Sequence, residues 1–367
     1  MRFDRRLFIH FDWTLLTLVS LIVLVGLINL YSAGFNFSRE TSLCFRQARW
    51  ILIGVAGMVM AFSMDYRSIV RQAYPIYGVT LFLLLIVFFY GYATHGSQRW
   101  INLLGFSFQP SELMKLAIIL ALAKYFDDNK LNRTFLLKDL AIPFTMVLVP
   151  FVLILRQPDL GTALMILIIF FSMTLFVGVN WKSLAIAAAT GLVMIPVAWH
   201  FLKDYQKERI MTFLSPERDP LGSGYHIIQS MIAIGSGGFF GKGFLKGTQA
   251  HLKFLPEQQT DFVFSVFAEE WGFVGALVLL SLFLSLIMWG LKIAFHSRDY
   301  LGSLVALGIT SLIFWGVLIN TGMVLGILPV VGIPLPFMSY GGTAIVVMLT
   351  AVGLLLNISM RRFILHS

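Results

Sequence analysis

Between Gly272 and Leu291, 20 residues pass without a single charge. At a helical rise of about 1.5 Å per residue, that is enough to cross a hydrocarbon core of about 30 Å. Similar apolar runs recur along the whole chain. Bounded by charges or by Pro and Gly, about ten fall near Trp13–Ala33, Ala48–Ser63, Ala73–Tyr92, Pro110–Phe126, Ala141–Leu155, Gly161–Val179, Ser183–Leu202, Gly272–Leu291, Leu301–Leu325 and Tyr340–Met360. Composition agrees: 58% of residues are hydrophobic, 12% are charged and the mean hydropathy is +0.84. A soluble domain carries about twice that charge. The expected fold is an all-α polytopic membrane protein of about ten transmembrane helices, one integral membrane domain over residues 1–367.

Charge sets the expected orientation. The opening MRFDRRLFIHFDW with the run that follows resembles a secretion signal. That run is too long for one, and Tyr31-Ser32-Ala33 is a poor cleavage site, so a retained first span is expected. With both termini cytoplasmic, 14 Lys and Arg lie inside: Arg2, Arg5, Arg6, Arg67, Arg71, Lys124, Lys130, Arg133, Lys138, Lys182, Lys292, Arg298, Arg361 and Arg362. With the long loop at residues 203–260 left out, as the rule requires, the short outer loops and outer helix ends hold 6, namely Arg39, Arg46, Arg49, Arg99, Lys115 and Arg156, an asymmetry that obeys the positive-inside rule. The same rule absorbs the net charge of +9 without a nucleic-acid partner. One long extracytoplasmic loop, residues 203–260 between spans 7 and 8, starts at Lys203 and carries Asp204, Glu208, Glu217, Asp219 and Glu257. Loops of this length are functional or disordered, and the regular apolar spacing from Tyr225 to Ile234 argues against disorder. A single cysteine, Cys44, excludes an internal disulfide framework and a cysteine-based metal cluster.

The chemistry-bearing stretches gather on the outer side. Leu255–Gly272, LPEQQTDFVFSVFAEEWG, sets Asp261, Glu269 and Glu270 at the mouth of an apolar run with no breaker but glycine up to Leu291. On a helix Asp261, Ser265, Ala268 and Gly272 share a face, leaving room beside a carboxylate. Thr260 and Asp261 can equally serve as helix caps. In FQPSELMKL, Pro110 suits a first helical turn, and Glu112 and Lys115 lie three apart on one face. Ionisable groups at that depth are costly and line cavities or pathways, which favours a cavity over a purely structural ion pair. In RQPDLGTA, Arg156 to Ala163, Asp159 beside Arg156 reads as a local pair in a turn. The run GSGGFFGKG, Gly235 to Gly243, fails the spacing of a phosphate loop. It is either a tight surface turn or a close backbone approach to a ligand, with Lys242 available to a phosphate. ILPVVGIPLPFMSYGGTA holds Pro329, Pro334 and Pro336 before Gly341 and Gly342, so an ordered loop leads into the last span. Ser339, Tyr340 and the glycine N–H groups there either seat an anion or simply close the top of the bundle. There is no HExxH, CxxC or GxSxG.

RWINLLGFSFQPSELMKL, RQPDLGTA, DPLGSGYHIIQSMIAIGSGGFFGKGFLKGTQ, FLPEQQTDFVFSVFAEE and GILPVVGIPLPFMSYGGTA together run from Arg99 to Ala344. In these blocks the chain resembles the SEDS family, the shape, elongation, division and sporulation proteins, and the ten-span layout fits as well. YHIIQSMIAIGSGG and RQPDLGTA are similar to its elongation branch. The resemblance implies a peptidoglycan glycosyltransferase that polymerises lipid II, with inversion, at the outer face of the bacterial cytoplasmic (inner) membrane during cell elongation and rod-shape maintenance. It implies a class B penicillin-binding protein as crosslinking partner, together with other elongation-complex proteins. The family's essential Asp of the TDF motif falls on Asp261, as general base, and its Glu and Lys of PSExxK fall on Glu112 and Lys115. The matching stretches add Arg99, Gln109, Ser111, Gln229, Glu257 and Thr260 as candidate substrate contacts. Many relatives have His where this chain has Gln259, so no base role is assigned there.

Joining sugars from a diphosphate-linked donor needs a base for the attacking hydroxyl and cations near the leaving group. Close to a low-dielectric bilayer, Asp261 is expected to have a raised pKa. Lys242, Arg209, Arg156 and Lys115 are candidates for the diphosphate. A divalent cation, magnesium or manganese, can share that task, with no ligands assigned, and a gap between helices would take the polyprenyl tail. Two rival readings are a flippase or transporter for the same lipid precursor and a non-catalytic scaffold of the elongation machinery.

Overall fold

The computed structural model describes residues 11–34, 41–90, 92–94, 97–103, 106–130, 134–201, 204–215, 223–252, 254–255 and 257–362. Of the residues named above, Arg2, Arg5, Arg6, Arg39, Arg133, Leu202, Lys203, Glu217 and Asp219 lie outside these. In chain order the helices are α1 (Trp13–Gly34), α2 (Thr41–Ser63), α3 (Tyr66–Arg71), α4 (Ala73–Tyr90), α5 (Pro110–Asp128), α6 (Ala141–Arg156), α7 (Leu160–Val177) and α8 (Trp181–Phe201). They continue as α9 (Asp204–Leu214), α10 (Ser223–Gly237), α11 (Thr248–His251), α12 (Val263–Phe295), α13 (Tyr300–Val324) and α14 (Gly342–Arg361).

Among the described residues, seven helices are long and apolar enough to cross a membrane: α1, α2, α6 with the turn before it, α7, α12, α13 and α14. This is a multi-pass membrane protein. The other three expected spans are also helical: α4 and α8 are apolar over shorter stretches, and α5 carries Glu112, Lys115, Lys124, Asp127 and Asp128. Burial ranks the helices. Of the most apolar window in α14, 83% is buried, against 17% in α2, so α14 runs through the middle of the bundle and α2 along its edge. The two pack closely because small residues let backbones approach; a Cβ on Gly353 would fall 2.5 Å from Met58 O.

Three expectations need correction. The chain is not wholly helical: β1 (Tyr92–Thr94), β2 (Ser97–Leu103) and β3 (Phe106–Phe108) form an antiparallel sheet in the order β1-β2-β3, placing Arg99 on its central strand. The segment 203–260 is not one loop, since it holds α9, α10 and α11.

Nor does the helix after Asp261 run unbroken. At Gly272 the backbone turns to φ 65 and ψ −164, a region open to glycine. A break inside a span leaves carbonyls on one side and N–H groups on the other that lipid cannot satisfy. The glycine run satisfies both. Lys242 N and Gly243 N donate to Glu269 O and Glu270 O, each at 3.0 Å, while Phe273 N and Val274 N donate to Gly238 O and Phe239 O at 2.9 and 3.1 Å. A Cβ on Gly241 would lie 2.1 Å from Glu270 O, so a side chain there would prevent the docking. The run is a backbone clamp.

Polar contacts close both ends of the bundle. At the end away from Asp261, Trp289 Nε1 donates to both Asp12 oxygens at 3.0 Å. Arg67 pairs with Asp299 at 2.6 Å, and Tyr66 donates to the same carboxylate at 2.8 Å.

Candidate active site

Asp261 sits in a turn just before α12 and not on it. Glu257, with φ 51, opens the turn, and its carbonyl accepts from Thr260 N and Asp261 N at 3.1 Å and from Phe262 N at 3.3 Å. Phe262 is the cap residue and makes no side-chain capping bond. The expected helical face and the capping role for Asp261 are therefore both corrected: its half-buried carboxylate accepts no hydrogen bond from the described residues. Its pKa is pushed up to about 6, first by burial and then by Glu257, against the pull of Arg209 and Arg99, with Asp159 adding a small push. Five charged groups from four separate stretches thus share one electrostatic site.

The turn is anchored on every side. Asn29 on α1 donates to Val263 O at 2.9 Å, and Gln258 donates to Ala33 O at 2.9 Å. Asn320 on α13 donates to Asp261 O at 2.9 Å and to Ile333 O at 2.8 Å. Ser339 Oγ donates to Thr260 O at 2.5 Å and accepts from Leu335 N at 2.8 Å, while Tyr340 N donates to Gln259 O at 2.8 Å. Gln47 on α2 holds the same corner through Ser339 O and Gly341 N, both at 3.3 Å. Ser339 Oγ, Tyr340 N–H and Gly341 N–H are engaged in these contacts, which close this corner of the bundle.

A second wall comes from the start of α7. Asp159, 3% exposed, caps it by accepting from Thr162 N at 3.2 Å. Its Oδ2 also accepts from Gln109 Nε2 at 3.1 Å and Ser111 Oγ at 3.4 Å. Its charge partner is Arg99, at 3.9 Å, and not Arg156, which is exposed at the end of α6. The guanidinium of Arg99 is also fastened to the carbonyls of Gln157 and Pro158. The sequence-adjacent pair is corrected because the polypeptide turns between the two residues, whereas strand β2 delivers Arg99 from elsewhere. A Cβ on Gly161 would lie 2.7 Å from Val331 O, so this wall rests directly on the proline-rich loop.

Glu112 and Lys115 meet at 2.8 Å on α5, each 4% exposed. They line a small cavity roofed by residues 333–337 and Ser339. Glu112 Oε2 has no hydrogen-bond partner among the described residues. The pair is both locked and cavity-lining.

Other expected contributors lie apart. Lys242 pairs with Glu269 at 2.6 Å and donates to Thr248 Oγ1 at 2.7 Å, so its ammonium serves the clamp. Among the described residues no hydrogen bond or ion pair joins Gln229 or Arg156 to Asp261. Gln229 is half-buried on α10, whose neighbouring Ser230 bonds Ser265 at 2.8 Å. No group of three or more His, Cys, Asp or Glu among the described residues could hold a metal ion, so magnesium or manganese finds no ready protein ligand set. Sequence reasoning missed Asn29, Gln47, Asn320 and Gly332. The available signal was a lone amide inside an otherwise apolar span, as in α1 and α13, since such groups are expensive in a membrane.

The family described as cell cycle protein, whose profile covers FtsW, RodA and SpoVE, matches residues 12–363. The chain is 39% identical to the peptidoglycan glycosyltransferase MrdB of Escherichia coli strain K12 over 355 residues, 96% of this chain and 95% of that one. Among solved structures, it is similar to a chain described under structural coordination of polymerization and crosslinking by a peptidoglycan synthase complex, with TM-score 0.82, 36% identity and coverage of 96% and 98%. The rod shape determining protein RodA of Thermus thermophilus gives TM-score 0.71 and 30% identity, again covering 96% and 98%.

Proposed function

This chain belongs to the FtsW/RodA/SpoVE family of cell cycle proteins, and from that premise we propose how it works as a peptidoglycan glycosyltransferase. It polymerises lipid II into glycan strands from the outer face of the bacterial inner membrane, in cell elongation. The whole chain, residues 1–367, acts as one membrane-embedded unit. A class B penicillin-binding protein is its crosslinking partner; the similarity to a chain of a peptidoglycan synthase complex supports that pairing.

One observation carries the mechanism: the Asp261 carboxylate, without a hydrogen bond from the described residues and with its pKa pushed up to about 6, in the field of Arg99 and Arg209. A base of that strength is ionised at neutral pH and still able to take a proton. Asp261 removes the proton from the attacking sugar hydroxyl as its oxygen bonds the donor's anomeric carbon, and the bond to the diphosphate breaks on the opposite face. Arg209 stabilises the departing negative charge, being less committed than Arg99, which is held by Asp159 and two carbonyls. Lys115 and Glu112 keep polar groups under the proline-rich roof. The apolar groove between α1 and α12, lined by Val25, Ile28, Phe267, Trp271 and Val278, offers a path for the polyprenyl tail.

The test uses purified protein with its partner in detergent and labelled lipid II. Asp261→Asn should abolish glycan chains while the protein stays folded. Unchanged polymer from that variant would remove Asp261 from the chemistry, and lipid scrambling across liposomes without polymer would point to a flippase.

A further inference from the structure

Asn320 lies one turn before the end of α13, 0% exposed, between two segments that flank Asp261. Its amide nitrogen donates at 2.9 Å to Asp261 O and at 2.8 Å to Ile333 O, using both of its protons. The first carbonyl belongs to the turn that carries the carboxylate. The second belongs to the proline-rich loop, whose Pro329, Pro334 and Pro336 have no N–H to offer. The two segments also meet where Tyr340 N donates to Gln259 O and Ser339 Oγ donates to Thr260 O; Asn320 adds the tie at the carbonyl of Asp261 itself. The loop in turn runs beside the carboxylate: Gly332 has φ 75, and a Cβ on it would lie 3.3 Å from Asp261 Oδ2.

The arrangement carries a cost. Asn320 Oδ1 is buried with no partner among the described residues, an expense that an apolar side chain would avoid. Packing alone therefore gives a poor account of an amide at this position. Joining the turn to the loop gives a better one.

We propose that Asn320 is a positioning residue for glycosyl transfer, fixing the Asp261 carboxylate against the Gly332 backbone by tying together the carbonyls of Asp261 and Ile333. The proposal rests on the reading of Asp261 as the base. Removing the amide frees the Asp261 carbonyl from the loop while Ser339 and Tyr340 still hold the corner, so the base shifts against the attacking hydroxyl and gains access to water.

The experiment measures polymerisation kinetics against pH for the partner-bound protein with labelled lipid II. Asn320→Ala should lower kcat by about 10- to 100-fold, as expected for a slightly misplaced catalytic group. KM should stay within about threefold, because substrate binding groups are untouched. The acid limb of the rate profile should move to lower pH as Asp261 becomes wetter. Asn320→Ser, which keeps one donor, should fall between. An unchanged kcat per folded molecule, or a loss confined to KM, overturns the proposal. If Asn320→Ala does not fold, Asn320→Ser decides: wild-type kcat with an unmoved acid limb overturns it. Asp261→Asn is run alongside. Activity in that variant would sink the base reading, whereas an inactive Asp261→Asn beside a wild-type Asn320→Ala would sink only the positioning role.

Discussion

Lys242 Nζ and Glu269 Oε1 meet at 2.6 Å across the break in α12, the carboxylate 0% exposed and the lysine 26% exposed. The same oxygen accepts from Thr248 N at 2.8 Å and Gln249 N at 3.0 Å. This contact, with Ser32 bonded to Glu270, pins the glycine clamp to the half-helix that follows Asp261. Lys242→Ala should therefore act on stability. With Thr248 N, Thr248 Oγ1 and Gln249 N still donating to Glu269, the cost is about 1–3 kcal/mol, read as a lower melting temperature. Turnover per folded molecule should hold within about twofold. A large turnover loss at unchanged melting temperature would return Lys242 to the diphosphate.

The pKa of Asp261, about 6, sets a pH profile. The base works ionised, so kcat/KM should be level above that value and fall about tenfold per pH unit below it. Its neighbours give the sign of each shift. Arg209 lowers the pKa, so Arg209→Ala moves the acid limb up; Glu257 raises it, so Glu257→Gln moves the limb down. Opposite or absent movements would show that another group controls the limb.

The same shift predicts an exchange of stability for function. A carboxyl whose folded pKa lies above its unfolded value near 4 favours the folded state below that value. That contribution is lost as pH rises through about 6. At pH about 8 the ionised group is a burden on folding, so Asp261→Asn should melt at the same temperature as the wild type or higher while losing activity. Calorimetry at pH about 8 and about 5 checks it: the gain should shrink at the lower pH.

For Glu112 and Lys115, removing one partner leaves the other charge buried, at about 3–5 kcal/mol. The double replacement Glu112→Met with Lys115→Leu should recover most of that stability, as apolar substitutes for buried pairs do. If the cavity works on substrate, polymerisation stays lost in the double variant. Recovery of both would make the pair purely structural.

Part of the candidate site is legible in the sequence. Asp261, Glu112 and Lys115 stand out because a charge beside or within an apolar run is rare and expensive. The loop of Ser339 and Tyr340 was marked by its prolines. Partner choice was not legible. Asp159 reads as the partner of Arg156 three residues away, yet it meets Arg99, 60 positions back on a small strand. Lys242 reads as a free cation until Glu269 appears against it.

The amino-acid sequence is enough to establish a chain built of long apolar helices. Twenty uncharged residues have one stable form in lipid, because only a helix satisfies their backbone groups within the segment. Only the tertiary structure decides what Asp261 is. A helix through Gly272 or a break at it suits the same letters, and a cap or a free carboxylate suits the same aspartate. The choice comes from contacts distant in the chain: Asn29, Gln47 and Asn320 take up the backbone groups around the turn, and Arg99, Arg209, Asp159 and Glu257 set its field. Hydrogen bonds and Coulomb forces depend on distance in space, and here the folded helices bring those residues together.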